Sequence, residues 1–120
     1  MKLEEYIETW IKGESSEVAL YLAMARQAER EGYPEIASAL RKIAFEEAEH
    51  AAIAIELAKK VGTTKENLKK MLAGEENAAK VRLEEARHHD EPEKTYFYTT
   101  AKDEERHAEI IRGLLKRFFG

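Results

Sequence analysis

Two helical stripes in this chain carry charged residues where hydrocarbon belongs. At alternating steps of four and three, Ile36, Leu40, Ile43, Glu47, His50, Ala54, Leu57 and Val61 make the apolar seam of one helix, with Glu47 and His50 in its middle. Phe97, Thr100, Glu104, His107, Ile111, Leu114 and Phe118 make a second seam with the same insertion. An ionised carboxylate taken out of water is costly unless it is paired or bound to a metal. Two Glu-x-x-His pairs at seam positions therefore call for one shared explanation, and they confine the chain to packed helices.

The rest of the chain supplies two more helices. Leu3, Ile7, Trp10, Glu14, Glu17, Tyr21, Ala25 and Ala28 share one face of a helix over residues 2–31. Gly13, beside Glu14, either admits a neighbouring backbone or bulky cofactor or is a tolerated surface glycine. Gly32 and Pro34 mark the end of this helix and the start of the next, which is expected over 34–61. Thr63 and Glu66 have the spacing of a capping box that opens a third helix over 64–88. Its inner face carries Leu68, Met71, Leu72, Glu75, Ala78 or Ala79, Val81, Leu83 and Ala86. Pro92 is expected to open the last helix, which runs to Phe118. The chain thus repeats itself: Gly13-Glu14, Pro34 and Glu47-x-x-His50 return as Gly74-Glu75, Pro92 and Glu104-x-x-His107, at offsets of 61, 58 and 57 residues. The expected fold is all-α, a four-helix bundle made of two helical hairpins that together form one domain over residues 1–120.

Residues three apart on a helix lie on one face. A Glu can therefore bridge two metal ions while the His one turn on binds one of them. Two Glu-x-x-His helices, plus one Glu from each remaining helix, give four carboxylates and two imidazoles, which is the ligand set of a dinuclear carboxylate site. The candidate ligands are Glu14, Glu47, His50, Glu75, Glu104 and His107. Oxygen and imidazole donors suit iron or manganese. Glu17 lies one turn from Glu14 and is either a seventh ligand or a partly solvated acid. Tyr21 lies two turns from Glu14 and either donates its hydroxyl to a ligand carboxylate or packs as an ordinary aromatic. Glu46 and Asp103 sit four residues before the two histidines, as supports for ligand imidazoles or as solvated acids. His88 and His89 fall in a turn and read as surface residues.

Composition narrows the partners. The chain has 24 acids and 20 bases. With Glu14, Glu17, Glu47, Glu75 and Glu104 turned inward, the outer surface is nearly neutral, so no nucleic-acid or membrane-surface partner is expected. No run of apolar residues is long enough to span a bilayer. Acids stand near the N-terminus where a signal peptide would carry bases, so a cytoplasmic location is expected. There is no cysteine, hence no thiolate metal site.

Gly13-Glu14-Ser15, Glu31-Gly32-Tyr33-Pro34-Glu35-Ile36-Ala37, Glu46-Glu47-Ala48-Glu49-His50-Ala51, Ala73-Gly74-Glu75 and Glu104-Glu105-Arg106-His107 resemble the rubrerythrin branch of the ferritin-like proteins. The resemblance covers nearly the whole chain and is closer in the first half. It implies a ferritin-like bundle with a non-haem di-iron centre that reduces hydrogen peroxide, and sometimes dioxygen, to water. It also implies that Glu14, Glu47, His50, Glu75, Glu104 and His107 are the iron ligands.

The sequence departs from the family pattern in three ways. It lacks the cysteines of the rubredoxin domain found in many members, so electrons are expected from a separate rubredoxin-type donor. The family's extra Glu, three residues after the third-helix ligand, is replaced by Ala78, while Glu17 holds the corresponding place in the first helix. Any peroxide-driven ligand exchange is therefore expected at Glu17. Arg82 and Leu83 stand where relatives carry a tyrosine.

A twofold relation between the halves would need a bundle-length return between the second and third helices. Helix from 50 to 61 and from 64 to 75 covers about 17 Å each. The few residues left between them span only about 7–11 Å. The expected assembly is a homodimer with exchanged hairpins. The expected activity is that of a peroxidase of the NADH-peroxidase type, working with an external reductase. The rival readings are iron oxidation and storage in a cage, an oxygen- or peroxide-responsive binding module, and manganese-dependent peroxide disproportionation.

Overall fold

The computed structural model describes all 120 residues. They form four helices and no strand: α1 (Leu3–Arg30), α2 (Pro34–Leu57), α3 (Thr64–Ala86) and α4 (Glu93–Phe119). The all-α class expected from the sequence is found. The chain divides into two compact units, Met1–Val61 and Gly62–Gly120. In the first, α1 packs on α2; in the second, α3 packs on α4. No helix is long and apolar enough to cross a membrane.

The first hairpin turns where the sequence indicates. Gly32 takes φ +85°, its N–H donates to the Glu29 carbonyl at 3.1 Å, and the Tyr33 N–H donates to the Ala28 carbonyl at 2.9 Å. This pair of bonds satisfies carbonyls that the last turn of α1 leaves open. Pro34 then begins α2. At the start of α3 the capping box is present. Thr63 Oγ1 accepts from the Glu66 N–H at 3.2 Å, and Glu66 Oε1 accepts from the Thr63 N–H at 3.0 Å. Pro92 sits just outside α4, which begins at Glu93.

The end of α2 differs from the expectation of helix to Val61. The helix stops at Leu57, and Lys59 adopts a left-handed conformation with φ 57°. The Lys59 N–H donates to the Glu56 carbonyl at 2.9 Å and the Lys60 N–H to that of Ile55 at 3.3 Å. These are the same closing bonds as at Gly32, made here without a glycine. Gly62, the residue that marked the break in the sequence, is instead tied to α3: its N–H donates to Asn67 Oδ1 at 2.8 Å.

Alanines make the contact within each hairpin. Ile7, Ala25, Ala28, Ala37, Ala44, Ala51 and Ala54 are buried in the first unit; Ala79, Ala86, Ala101 and Ala108 are buried in the second. Ala25, Ala28 and Ala37 pack as one cluster, with Leu40 against it. The seven-residue steps Ala37–Ala44–Ala51, Ala79–Ala86 and Ala101–Ala108 keep these small side chains on one line, as a supercoiled helix pair requires. The spacing between packed helices is set by the side chains at the contact, so alanine lets the two backbones approach closely.

The seams identified in the sequence lie one residue away from these lines. Ala37, Ala44, Ala51, Ala101 and Ala108 each follow a seam residue directly. On α2, Ala54 is the one seam residue that is buried, Leu40 and Glu47 are half-buried, and Ile36, Ile43, His50, Leu57 and Val61 are exposed. On α4, Phe97, Thr100, Glu104, His107 and Ile111 are half-buried, and Leu114 and Phe118 are exposed. One residue is a 100° step around a helix. The alanine line therefore closes the hairpin, and the seam runs along its flank.

Candidate metal centre

Each hairpin brings one Glu-Glu-His trio together. In the first, Glu14 on α1 meets Glu47 and His50 on α2; in the second, Glu75 on α3 meets Glu104 and His107 on α4. Within each trio, one candidate donor atom per residue lies within 4.8 Å of the others. His50 Nδ1 is 3.6 Å from Glu14 Oε1 and 3.9 Å from Glu47 Oε1. His107 Nδ1 is 3.4 Å from Glu75 Oε2. The i, i+3 spacing sets Glu and His on one face of α2 and of α4, and the alanine line beside them sets the distance to the Glu across the hairpin.

Electrostatics shows how crowded these carboxylates are. Hydrogen bonding of Glu47 with Glu14 and Glu17, helped by desolvation and by their negative charge, pushes its carboxyl up to about 7. In the second trio the crowding acts mainly on Glu104. Its carboxyl is raised chiefly by the hydrogen bond to Glu75, against the opposing charges of Arg82 and His107. Glu75, accepting that bond, is lowered. Two like charges held close favour one bound proton, and a cation relieves the same repulsion.

A divalent metal fits these residues on a second ground. Glu14 Oε2 and Glu75 Oε2 are buried without a hydrogen-bond partner. Buried carboxylate oxygens are ordinarily bonded, and leaving one bare is costly. Both bare atoms belong to trios whose remaining donors are carboxylate and imidazole, a set suited to iron or manganese.

The other residues singled out in the sequence are placed as follows. Glu17 is exposed and lies outside the trio, although it acts on Glu47. Tyr21 is half-buried on α1 and belongs to neither trio. Glu46 is exposed, and Asp103 accepts from Arg106 Nη2 at 3.2 Å. His88 and His89 are exposed and bond Glu84 and Glu85 at 3.2 and 3.1 Å. A Cβ added to Gly13 or Gly74 meets nothing within 4 Å. Sequence reasoning missed a role for Arg82, whose Nη1 lies 3.0 Å from Glu104 Oε1. The available signal was its position seven residues after Glu75, two turns along the same face.

The family model for rubrerythrin matches residues 5–70. An uncharacterized protein of Methanocaldococcus jannaschii is 43% identical over 123 residues, covering 98% of this chain and 87% of the relative. Reverse rubrerythrin-1 of Clostridium acetobutylicum is 46% identical over 114 residues, covering 89% of this chain and 62% of that protein. The chain thus spans less than two thirds of the length of this second relative. With four helices, no strand and two carboxylate–histidine trios in repeated positions, the chain belongs to the rubrerythrin family of ferritin-like proteins.

Proposed function

We propose that this chain is a di-iron peroxidase-type oxidoreductase that reduces hydrogen peroxide, and secondarily dioxygen, to water. The observation that carries this reading is the repeated Glu-Glu-His trio, each with a bare buried carboxylate oxygen. Glu14, Glu47, His50, Glu75, Glu104 and His107 would together hold the two ions of a single centre, in one domain over residues 1–120. When bound, two ferrous ions supply the two electrons that, with two protons, convert one hydrogen peroxide to two waters. Loading requires ionised carboxylates and neutral imidazoles, because metal ligands must be deprotonated. Glu17, one turn from Glu14 and already acting on Glu47, is the carboxylate best placed to enter or leave the ligand set.

The reading includes a homodimer in which the two hairpins of one centre come from two chains. It is supported by the large seam side chains that stay exposed, among them Ile36, Ile43, Leu57 and Phe118. Apolar surface of this kind marks an interaction site. The electron donor in this reading is a rubredoxin-type protein, its iron centre lying outside these 120 residues, which contain no cysteine.

Three measurements test the proposal. Anaerobically reduced, iron-loaded protein should consume hydrogen peroxide, and faster than it consumes dioxygen. Glu47→Ala and Glu104→Ala should each lose iron, by metal analysis, together with turnover. Sedimentation should give a dimer of 13.8 kDa chains. Purified protein that takes up neither iron nor manganese would remove the proposed chemistry, and a compact, metal-loaded monomer would remove the exchange of hairpins.

A further inference from the structure

The second hairpin separates its charges along its length. Lys65, Lys69 and Lys70 lie in the first two turns of α3, and Arg112, Lys116 and Arg117 in the last turns of α4; all six are exposed. Arg112 Nη2 reaches Glu76 Oε1 at 3.4 Å, so α3 and α4 lie side by side here. Within residues 64–72 and 110–119 the one acid is Glu66, and its Oε1 accepts from the Thr63 N–H at 3.0 Å. Apart from Arg112, none of the six cations has a carboxylate within 4.0 Å. The turn end of the same hairpin is acidic, with Glu84, Glu85, Asp90, Glu91 and Glu93 against Arg87 and Lys94. The first hairpin has no such basic end. At the offsets of the repeat, Lys65 and Lys69 correspond to Glu4 and Glu8, and Arg117 to Lys60. There opposite signs meet, with Lys60 Nζ 2.5 Å from Glu8 Oε1. In the second hairpin the same places hold only cations. Lys65 also stands in the first turn of α3, where the helix dipole disfavours positive charge. The fold gains nothing from this arrangement, because like charges brought together repel.

We propose that this basic end of the second hairpin is the docking surface for an acidic electron-donor protein. The proposal rests on the peroxidase reading above, for which it names the face that the donor meets. Each hydrogen peroxide takes up two electrons and two protons to give two waters. Two one-electron donors, each oxidised once, must therefore arrive and leave for every peroxide. Encounters of this kind use small interfaces, and charge attraction speeds them without holding the partners together. The basic end is close to the candidate ligands. Lys69 precedes Glu75 by six residues and Arg112 follows His107 by five, a rise of about 9 Å and about 8 Å along their helices. It also leaves those ligands free. Steps of four residues forward and back from the buried Ala108 reach Arg112 and Glu104, which places them on opposite flanks of the alanine line. The acidic turn end repels the same partner, so the hairpin's own field turns an acidic protein toward the cations. Phe119, 42% exposed in the last turn of α4, offers the apolar contact that an interface places among its charges.

The test uses the full chain and an acidic rubredoxin as the probe. First, rubredoxin with zinc in place of its iron is titrated into the isotope-labelled chain. Amide signals of residues 64–70 and 112–119 are expected to shift at low salt and to return at about 0.5 M salt, where screening is strong. Second, reduced rubredoxin is mixed in a stopped-flow instrument with the oxidised, iron-loaded chain. Lys69→Glu combined with Lys116→Glu should slow its reduction by roughly tenfold at low salt, with the difference closing at high salt. Arg26→Glu combined with Lys42→Glu changes the net charge equally, at exposed positions of the first hairpin, and should slow it far less. Both double variants should keep the wild-type iron content and the wild-type rate of the pre-reduced chain with peroxide. Shifts confined to other surfaces, or equal slowing by the two pairs of substitutions, would overturn the docking surface and leave the peroxidase reading in place. Salt-sensitive self-association through these cations, or binding of duplex DNA to them, with no response to rubredoxin, would give the surface to a different partner and overturn the proposal. A chain that takes up no iron would remove the peroxidase reading, and the zinc titration would still decide whether the basic end binds an acidic protein.

Discussion

Glu47 on α2 lies against Glu14 on α1, and side-chain hydrogen bonding to Glu14 is the largest cause raising the Glu47 carboxyl to about 7. The stability of the metal-free protein should therefore depend on pH in a definite direction. Between 4.5, the ordinary value, and about 7 the folded chain holds a proton on Glu47 that the unfolded chain has released. Stability from this source is fully present below 4.5 and is lost as pH rises through about 7. Glu104 is also raised and acts in the same sense. Glu75 is lowered, so its contribution is present above its ordinary value and lost as pH falls through its folded one, outside the window that Glu47 governs. Thermal melts of the metal-free protein should show a falling melting temperature from pH 5 to pH 8 once Glu47→Gln is used as the reference. A slope that persists unchanged in Glu47→Gln would assign the effect elsewhere.

The alanine line between α1 and α2 has no room for larger side chains. Ala37 is fully buried and packs with Ala25 and Ala28. Ala37→Leu is expected to destabilise the chain by about 1–3 kcal/mol through overpacking. Ala52→Leu, at an exposed position of the same helix, should stay within about 0.5 kcal/mol of wild type. Urea unfolding midpoints compare the two.

Thr63 caps α3 through its hydroxyl and its N–H together. Thr63→Ala removes the acceptor for the Glu66 N–H and should cost about 1 kcal/mol. Thr63→Ser keeps the oxygen and should restore most of the loss, as read from the same unfolding curves.

Lys59 closes α2 with positive φ, a conformation that costs a residue with a Cβ about 1–2 kcal/mol. Lys59→Gly removes that cost at the price of a more flexible unfolded chain, and should raise stability by about 0.5–1 kcal/mol. Denaturant midpoints that fall instead would show that the Lys59 side chain is worth more than its backbone strain.

Several parts of this protein were determined by sequence alone, because they depend on neighbours a few residues away. Gly32 with Pro34 ends one helix and starts the next through local backbone geometry, and Thr63 with Glu66 caps α3 by side chains that reach only to their own turn. The Glu-x-x-His pairs were also legible, since that spacing places both groups on one helix face whatever the helix packs against, while the approach of Glu14 and Glu75 to them is set by the packing of each hairpin. Tertiary structure decided the rest. Periodicity located an apolar stripe on α2 but did not say which of two adjacent lines faces α1. The contact went to Ala37, Ala44 and Ala51, where backbones can approach closely, and left Ile36 and Ile43 on the flank. The left-handed residue lies at Lys59, while Gly62 is held by Asn67 at the start of α3. The position of Arg82 seven residues after Glu75 gives its helix face, but its pairing with Glu104 needs two helices at a particular rotation and separation, which only the packing supplies.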